Sequence, residues 1–334
     1  MPDNRKYARL GLPSRGRLAD GALAFLEAAG LDVHKPNPRQ FEATIPSMPS
    51  LTVLFQRAGD IAVSVRDGSV DFGITGWDTV SERGGENGEI IPLHRELGFG
   101  HCTLNVIVPE SWGTVRRMTD LADKRIEVER PLRVATKYPN LTGIFFAHHN
   151  LDDSRLIQAE GTLEVAPAIG YADLVVDLVS TGTTLHDNRL RALDDGQILT
   201  SQACLIANHV ALKNRPEVLA MARQLLEFIV AHLRAAANVA IFANMSGNSP
   251  STIAEKMFSQ SVIGGLQGPT ISPVITRQSG NWYAVHIIVR RDQLAQAIAE
   301  LRAIGGSGVV VTPVTYIFDD EPAACQAMLD ALKD

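Results

Sequence analysis

The sequence has no paired cysteines. Its three, Cys102, Cys204 and Cys325, are scattered and odd in number. That leaves neither a disulfide framework nor metal-ligand spacing, and predicts a reducing compartment, the cytoplasm, with the cysteines as small core residues. No apolar run is long enough to span a membrane, and there is no low-complexity segment or short-period repeat. The stretch from Met1 to Arg9 is polar and has no apolar h-region, so no secretory signal is expected. A basic excess is also missing: the net charge is -6, which argues against a general nucleic-acid binder while allowing a local basic pocket for phosphates. What remains is the composition of a soluble globular protein, 45% hydrophobic and 20% charged, and 334 residues suffice for two or three domains.

The most informative stretch runs from Glu164 to Asn188. An apolar run, Leu174 to Val179, reads as a short buried strand that carries one acid, Asp177. Ser180, Thr181, Gly182, Thr183, Thr184 and Leu185 follow as a tight loop opening a helix. Such a loop brings backbone N–H groups, hydroxyls and a helix N-terminus to one point, which is a seat for phosphate. Asp173 and Asp177, at or inside the strand, could bind sugar hydroxyls or a magnesium ion beside it. Phosphate, ribose and magnesium together point to phosphoribosyl pyrophosphate (PRPP). The structural alternative is a Ser/Thr-rich turn capping an ordinary helix.

Other segments present similar strand-to-loop-to-helix turns. Leu10 to Pro13 is a strand, and Leu18 to Ala29 an amphipathic helix. Between them Arg15, Gly16 and Arg17 form a basic loop able to hold phosphate. Asp60 to Asp67 reads as a helix capped by Asp60. Gly73 and Gly76 permit close backbone approach at a strand's carboxyl end, where open α/β sheets bind ligands, and Asp78 could cap the next helix. Gly98, Phe99 and Gly100 precede a strand from Thr103 to Val108, with glycines where backbone meets a ligand or another strand. His101 beside them reads as a structural histidine sooner than as a base. Lys137 and Tyr138 end a strand and could hold a phosphate and stack on a base, before a helix from Thr142 to His148. Thr162 to Ala166 reads as a short strand, and Ala203 to Ala207 as another.

Arg215 to Ala237 is a long amphipathic helix and reads as the bridge out of a catalytic body. After it the order is strand (Val239–Met245), helix (Pro250–Phe258), two strands (Ile271–Thr276, Trp282–Val289), helix (Asp292–Ile304) and a final strand (Gly308–Phe318). This βαββαβ order is the ferredoxin-like split motif. Its turns at Gly268–Thr270 and Gly305–Gly308 place backbone donors beside short strands, suited to an amino acid's carboxylate.

Taken together, Pro13–Leu18 (PSRGRL), Asp71–Asp78 (DFGITGWD), Arg133–Asn140 (RVATKYPN), Glu164–Asn188 and Gly268–Pro273 (GPTISP) resemble the ATP phosphoribosyltransferase family in its long, histidine-regulated form, over nearly the whole chain. The resemblance implies a two-lobed catalytic body like a type II periplasmic binding protein, with a C-terminal ferredoxin-like (ACT-like) regulatory domain. It implies lobe I over residues 1–109 and 197–237, lobe II, the PRPP-binding one, over 110–196, and the regulatory domain over 238–334. It also implies ATP and PRPP as substrates, Mg2+, pyrophosphate release, inhibition by histidine, and a homo-oligomer, a hexamer. Asp177, Asp173 and Glu164 would then bind ribose hydroxyls and magnesium. Ser180 to Leu185 would hold the 5-phosphate. Arg15, Arg17 and Lys137 would meet pyrophosphate or ATP phosphates, and Tyr138 with Gly98–Gly100 would border the purine. Thr270 and Ser307 would belong to the histidine site. Two departures stand out. Gly98 lies where some relatives carry an aspartate near the purine, and Glu110 to Pro131 is long and polar with no evident functional role.

Two rivals fit less well. A type I phosphoribosyltransferase has two adjacent acids before its hydroxyl loop, and here Val176 precedes Asp177. A solute-binding protein with a sensor domain would ordinarily be exported.

Overall fold

The computed structural model describes residues 7–37, 40–85, 87–159, 161, 163–180, 182–276 and 280–333. The described residues of Met1–Phe25, Asp32–Arg223 and Ala324–Asp334 form one compact unit, and those of Leu26–Leu31 and Gln224–Ala323 form the other. Among the described residues no helix is long and apolar enough to cross a membrane.

The first unit holds two sheets. One is built from β1 (Ala8–Pro13), β2 (Glu42–Thr44), β3 (Leu51–Gln56), β4 (Phe72–Gly76) and β5 (Ile90–His94). The chain then crosses to the other sheet, made of β6 (Cys102–Pro109), β7 (Arg133–Thr136), β8 (Arg155–Gln158), β9 (Leu174–Val179) and β10 (Leu190–Ser201). It returns as β11 (Ala203–Asn208), giving the orders β2-β3-β1-β4-β11-β5 and β10-β6-β9-β7-β8. β1, β3 and β4 are parallel, and the returning β11 runs antiparallel to both β4 and β5. This out-and-back path is the two-lobed arrangement the resemblance implied. The outward crossing comes earlier than expected: β6 already pairs with β9 and β10 of the second sheet, so the chain leaves lobe one at Gly98–His101 and not after residue 109. The return falls at Gln202, between β10 and β11, and not at 197.

The helices of this unit follow their strands. They are α1 (Arg17–Ala28) up to Phe25, α2 (Ala58–Arg66), α3 (Trp77–Arg83), α4 (Met118–Val128), α5 (Pro139–His148), the short α6 (Thr183–Asp187), α7 (His209–Asn214) and the first part of α8 (Pro216–Ala236). β9 is the buried strand the apolar run predicted, with Leu174, Val175 and Val176 at 1% exposure or less. Leu174 and Val176 join Leu104, Val106, Val134 and Phe146 on one face, while Val175 joins Ile107 and Ala135 on the other. Burial on both faces explains the absence of alternation.

Several local readings are corrected. Thr162 to Ala166 is no strand: Leu163–Val165 form a single 3-10 turn, and Thr162 lies outside the described residues. α2 begins at Ala58 with Arg57 as its N-cap, so Asp60 lies inside its first turn. The cap of α3 is Gly76 and not Asp78. Glu110 to Pro131 contains α4, which buries Met118 and Leu121 in the lobe-two core.

The second unit carries β12 (Asn238–Ser246), α9 (Pro250–Phe258), β13 (Thr270–Val274), β14 (Trp282–Arg290), α10 (Leu294–Ala303) and β15 (Ser307–Pro313), in the antiparallel order β13-β14-β12-β15. That is the ferredoxin-like order. Ser249 caps α9 by accepting from Thr252 N, and Pro250 opens the helix at its first turn. β15 stops at Pro313 instead of running to Phe318. Beyond it, Tyr316 and Phe318 pack edge-on against Phe228 of α8. The last helix, α11 (Ala323–Ala331), belongs to the first unit from Ala324 onward.

Candidate active site

Two neighbouring cavities lie in the first unit. The larger, about 730 Å3, is lined from lobe one by Arg17, Gly21, Arg57, Gly76, Asp78 and Arg83, from the crossing by Phe99 to Cys102, and from lobe two by Lys137, Tyr138, Leu178 and Ser180. The smaller, about 180 Å3, is lined by Arg17, Glu164, Asp177, Ser180, Gly182, Thr184 and Leu185 among others. Arg17, Leu178 and Ser180 border both. The exposed Arg17 Nη2 donates to Ser180 Oγ at 2.8 Å, from one lobe to the other.

The loop after β9 is built as the sequence indicated. Gly182 is the N-cap of α6 and has φ 75°, a left-handed conformation that suits glycine. Among the described residues, its chain neighbours aside, nothing lies within 4 Å of the place its Cβ would occupy, so the space in front of it is open. Ser180, Gly182, Thr184 and Leu185 face the smaller cavity. Thr183 is exposed on the same turn, and Thr181 lies outside the described residues. Asp177 and Glu164 line the same cavity. Burial pushes the Asp177 carboxyl above its ordinary range and the Glu164 charge adds to that, while Lys137 and the Leu178 N–H pull the other way. Its Oδ1 accepts from Leu178 N at 2.8 Å. A half-buried carboxylate held up in this way favours a cationic or hydroxyl-donating ligand.

The chain as a whole matches known proteins. The family model described as ATP phosphoribosyltransferase matches residues 57–231, and the one described as HisG, C-terminal domain, matches 235–316. ATP phosphoribosyltransferase 1, chloroplastic, of Arabidopsis thaliana is 42% identical over 95% of this chain and 79% of its own length. The chain belongs to the ATP phosphoribosyltransferase family. A bacterial relative, the ATP phosphoribosyltransferase of Rhodopseudomonas palustris (strain HaA2), is 36% identical over 93% of this chain and 94% of its own. Among solved structures, the ATP phosphoribosyl transferase (HisG:HisZ) complex from Thermotoga maritima matches with a TM-score of 0.52 at 24% identity, over 67% of this chain and 98% of that one. This last likeness shows the fold. Membership makes the protein a pentosyltransferase, and the reaction is the first step of histidine biosynthesis.

Not every residue read from the sequence reaches the cleft. Asp173 does not. It stands at the start of β9, away from the loop, where Arg130 donates to Oδ2 at 2.6 Å and to Oδ1 at 2.9 Å. Arg133 donates to it through backbone N at 2.8 Å and through Nη2 at 2.9 Å. Against the opposing effect of burial, these bonds hold its carboxyl far below the usual carboxylate range. Its lone pairs are occupied, which removes it from the candidate magnesium and ribose ligands. Arg130 also accounts for part of the polar stretch that lacked a role. Arg15 and Gly16 are exposed and line neither cavity. Tyr138 lines the larger cavity, but its ring packs in the lobe-two core and is 8% exposed, so it presents no open face for a base. Gly76 lines the larger cavity, and a Cβ there would overlap Asp78 Oδ1, so the position needs glycine first of all for the Asp78 side chain. Gly98 N donates to Gln202 Oε1 at 2.9 Å, so this glycine serves the crossing. Phe99 borders the cavity and packs on Phe25 at 5.5 Å, over Gly21, which has no side chain to block it.

The Asp173 cluster yields a stability prediction. Asp173→Asn should cost about 1.5–3 kcal/mol, the range for hydrogen bonds to charged groups, with turnover per folded enzyme unchanged. A folded pKa below the unfolded one contributes stability above about pH 4, lost as pH falls through the folded value. Urea unfolding of the two proteins should therefore differ at pH 7 and converge in acid. A large loss of turnover would return Asp173 to the active site.

The sequence reading missed Glu82, Arg57 and Arg83. Arg57 and Arg83 line the larger cavity. Both sit at helix ends, where an arginine is ordinarily a solvated cap, so no local signal set them apart.

Proposed function

We propose that this enzyme joins N1 of the ATP purine to C1 of PRPP in the cleft between the lobes, with the 5-phosphate on the Gly182 loop. The observation that carries this placement is the open left-handed turn of Gly182 beside two carboxylates in one small cavity. The purine N1 lone pair attacks C1 from the face opposite the leaving group. The C1–O bond breaks, and pyrophosphate departs with the electron pair through an oxocarbenium-like state. Such a reaction requires placement and charge more than a protein nucleophile. Asp177 and Glu164 accept from the ribose hydroxyls and face the positive charge that grows on the ring. Arg17 and Lys137 meet phosphate oxygens, and Gly100 with Phe99 borders the purine.

Among the described residues there is no group of three or more His, Cys, Asp and Glu able to hold a metal. The pair Asp177 and Glu164 suits an ion that keeps waters and substrate phosphate oxygens as its other ligands, which is the habit of magnesium. When bound, Mg2+ would neutralise charge on the departing pyrophosphate. Release of pyrophosphate from PRPP only when ATP is added tests the reaction, and its absence would overturn it.

We assign histidine inhibition to the second unit. Gly268, Pro269 and Thr270 line a cavity of about 400 Å3 with His286 and Arg234. Ser307 begins the opposite edge strand, and its Oγ donates to Asn244 O at 3.2 Å. Three strand spacings, about 14 Å, separate the two edges, so one histidine touching both would lie between two copies of the chain. That accords with a homo-oligomer, a hexamer. Thr270→Ala and Ser307→Ala should each raise the half-inhibiting histidine concentration about tenfold, the effect of one lost hydrogen bond. Inhibition at full strength in both variants would move the site elsewhere. The cysteine pattern fits a reducing compartment such as the cytoplasm, and equally an organelle such as the one the plant relatives are named for.

A further inference from the structure

α3 carries two buried acids one helical turn apart, Asp78 at 5% and Glu82 at 6% exposure. Neither is satisfied by lobe one alone. Glu82 Oε1 accepts from Asn140 N at 2.9 Å and Oε2 from Leu141 N at 3.0 Å, while Glu82 O accepts from Asn140 Nδ2 at 3.0 Å. Its carboxylate thus caps the first turn of α5, a helix of the other lobe, at the end where the helix dipole favours an anion. Asp78 Oδ2 accepts from Tyr138 Oη at 2.9 Å, and Oδ1 accepts from Ser201 Oγ at 2.6 Å. Ser201 Oγ in turn accepts from Asp78 N at 2.9 Å. Ser201 is the last residue of β10, just before the return crossing.

Two buried charges placed on one helix and satisfied from another lobe are an expensive way to join two surfaces that apolar packing would join as well. What they add is a fixed register. The segment they grip, Tyr138 to Leu141, directly follows Lys137, which faces the larger cavity. By contrast, the Arg17–Ser180 bond across the same cleft is exposed at both ends and can part without leaving a buried charge behind.

We propose that Asp78 and Glu82 are positioning residues: by holding the start of α5 to α3 they set where Lys137 stands over the cleft, independently of the exposed Arg17–Ser180 contact. This rests on the reading that Lys137 meets substrate phosphate. The consequence is energetic coupling between the staple and Lys137, expressed in turnover because misplacement acts on the transition state.

The test is a double-mutant cycle on the full-length enzyme, with kcat, both KM values and Tm measured. Tyr138→Phe removes a single hydroxyl, and Glu82→Gln removes one acceptor. Each should lower kcat about tenfold in the wild-type background and less than twofold in the Lys137→Ala background, with both KM values within about twofold. If Glu82→Gln does not fold, the Tyr138→Phe cycle decides. An unchanged kcat in Tyr138→Phe, or the same fold-loss with and without Lys137, overturns the proposal and leaves a purely structural contact. If Lys137→Ala alone changes neither kcat nor KM, the reading of Lys137 itself fails, which is a different result from failure of the coupling.

Discussion

Asp177→Asn is expected to lower kcat/KM for PRPP by about 10²–10³-fold, the loss typical of removing one group that meets transition-state charge, without lowering the melting temperature. The sequence alone predicts a large loss of activity with a modest loss of stability. The structure reverses that sign. Burial raises the Asp177 pKa in spite of Lys137 and the Leu178 N–H, so the folded protein holds this charge at a net cost. A raised folded pKa contributes stability below the unfolded value and loses it as pH climbs through the folded one. At neutral pH the asparagine should leave stability unchanged or slightly improved. The same shift gives the pH dependence of the wild-type enzyme. Its kcat/KM for PRPP should fall on the acid side at a pH above the ordinary aspartate value, as Asp177 takes up a proton, and that limb should vanish in Asp177→Asn. Kinetics from pH 5 to 8, with thermal unfolding alongside, would measure both. Full activity with collapsed stability would make Asp177 a structural acid.

What was legible in the sequence was whatever a short window encodes. β9 and its loop were readable because an apolar run, one acid and a Ser/Thr/Gly turn are contiguous. The ferredoxin-like unit was readable because each element has its own period and cap. β10 was not. Its Asp194, Asp195 and Gly196 look like a hairpin turn, yet the strand runs from Leu190 to Ser201 with a bulge there, on the edge of its sheet. The bulge has a tertiary purpose: Asp195 Oδ1 accepts from Met118 N at 2.7 Å, at the start of α4. The candidate site divides in the same way. Ser180, Gly182, Thr184, Leu185 and Asp177 are close in sequence, and the structure places them on one small cavity. That Asp173, only four residues upstream, is taken up by Arg130 and Arg133 is visible only once β7 and β9 lie side by side. Glu82 was invisible for a similar reason, since an acid in a short helix reads as solvated until its partners, 58 and 59 residues away, are in place.

Gly182→Val should abolish turnover, by more than about 10³-fold, and remove measurable PRPP saturation. Two effects act together. At φ 75° a β-branched residue is strained by roughly 1–2 kcal/mol, a cost that falls on the start of a five-residue helix and not on a core. In addition, its side chain would project into space where, among the described residues and its chain neighbours aside, no atom lies within 4 Å, which is where the 5-phosphate is proposed to sit. The free protein should therefore fold normally, with circular dichroism and melting near wild type, while the ligand is excluded. Gly182→Asn separates the two causes, because asparagine tolerates the left-handed region but still fills the space. If occupation of the phosphate seat is what matters, Asn should fail almost as completely as Val. If Asn restores PRPP binding, backbone strain is the cause and the loop acts through its shape. Near-normal PRPP saturation in Gly182→Val would remove the loop from the site altogether.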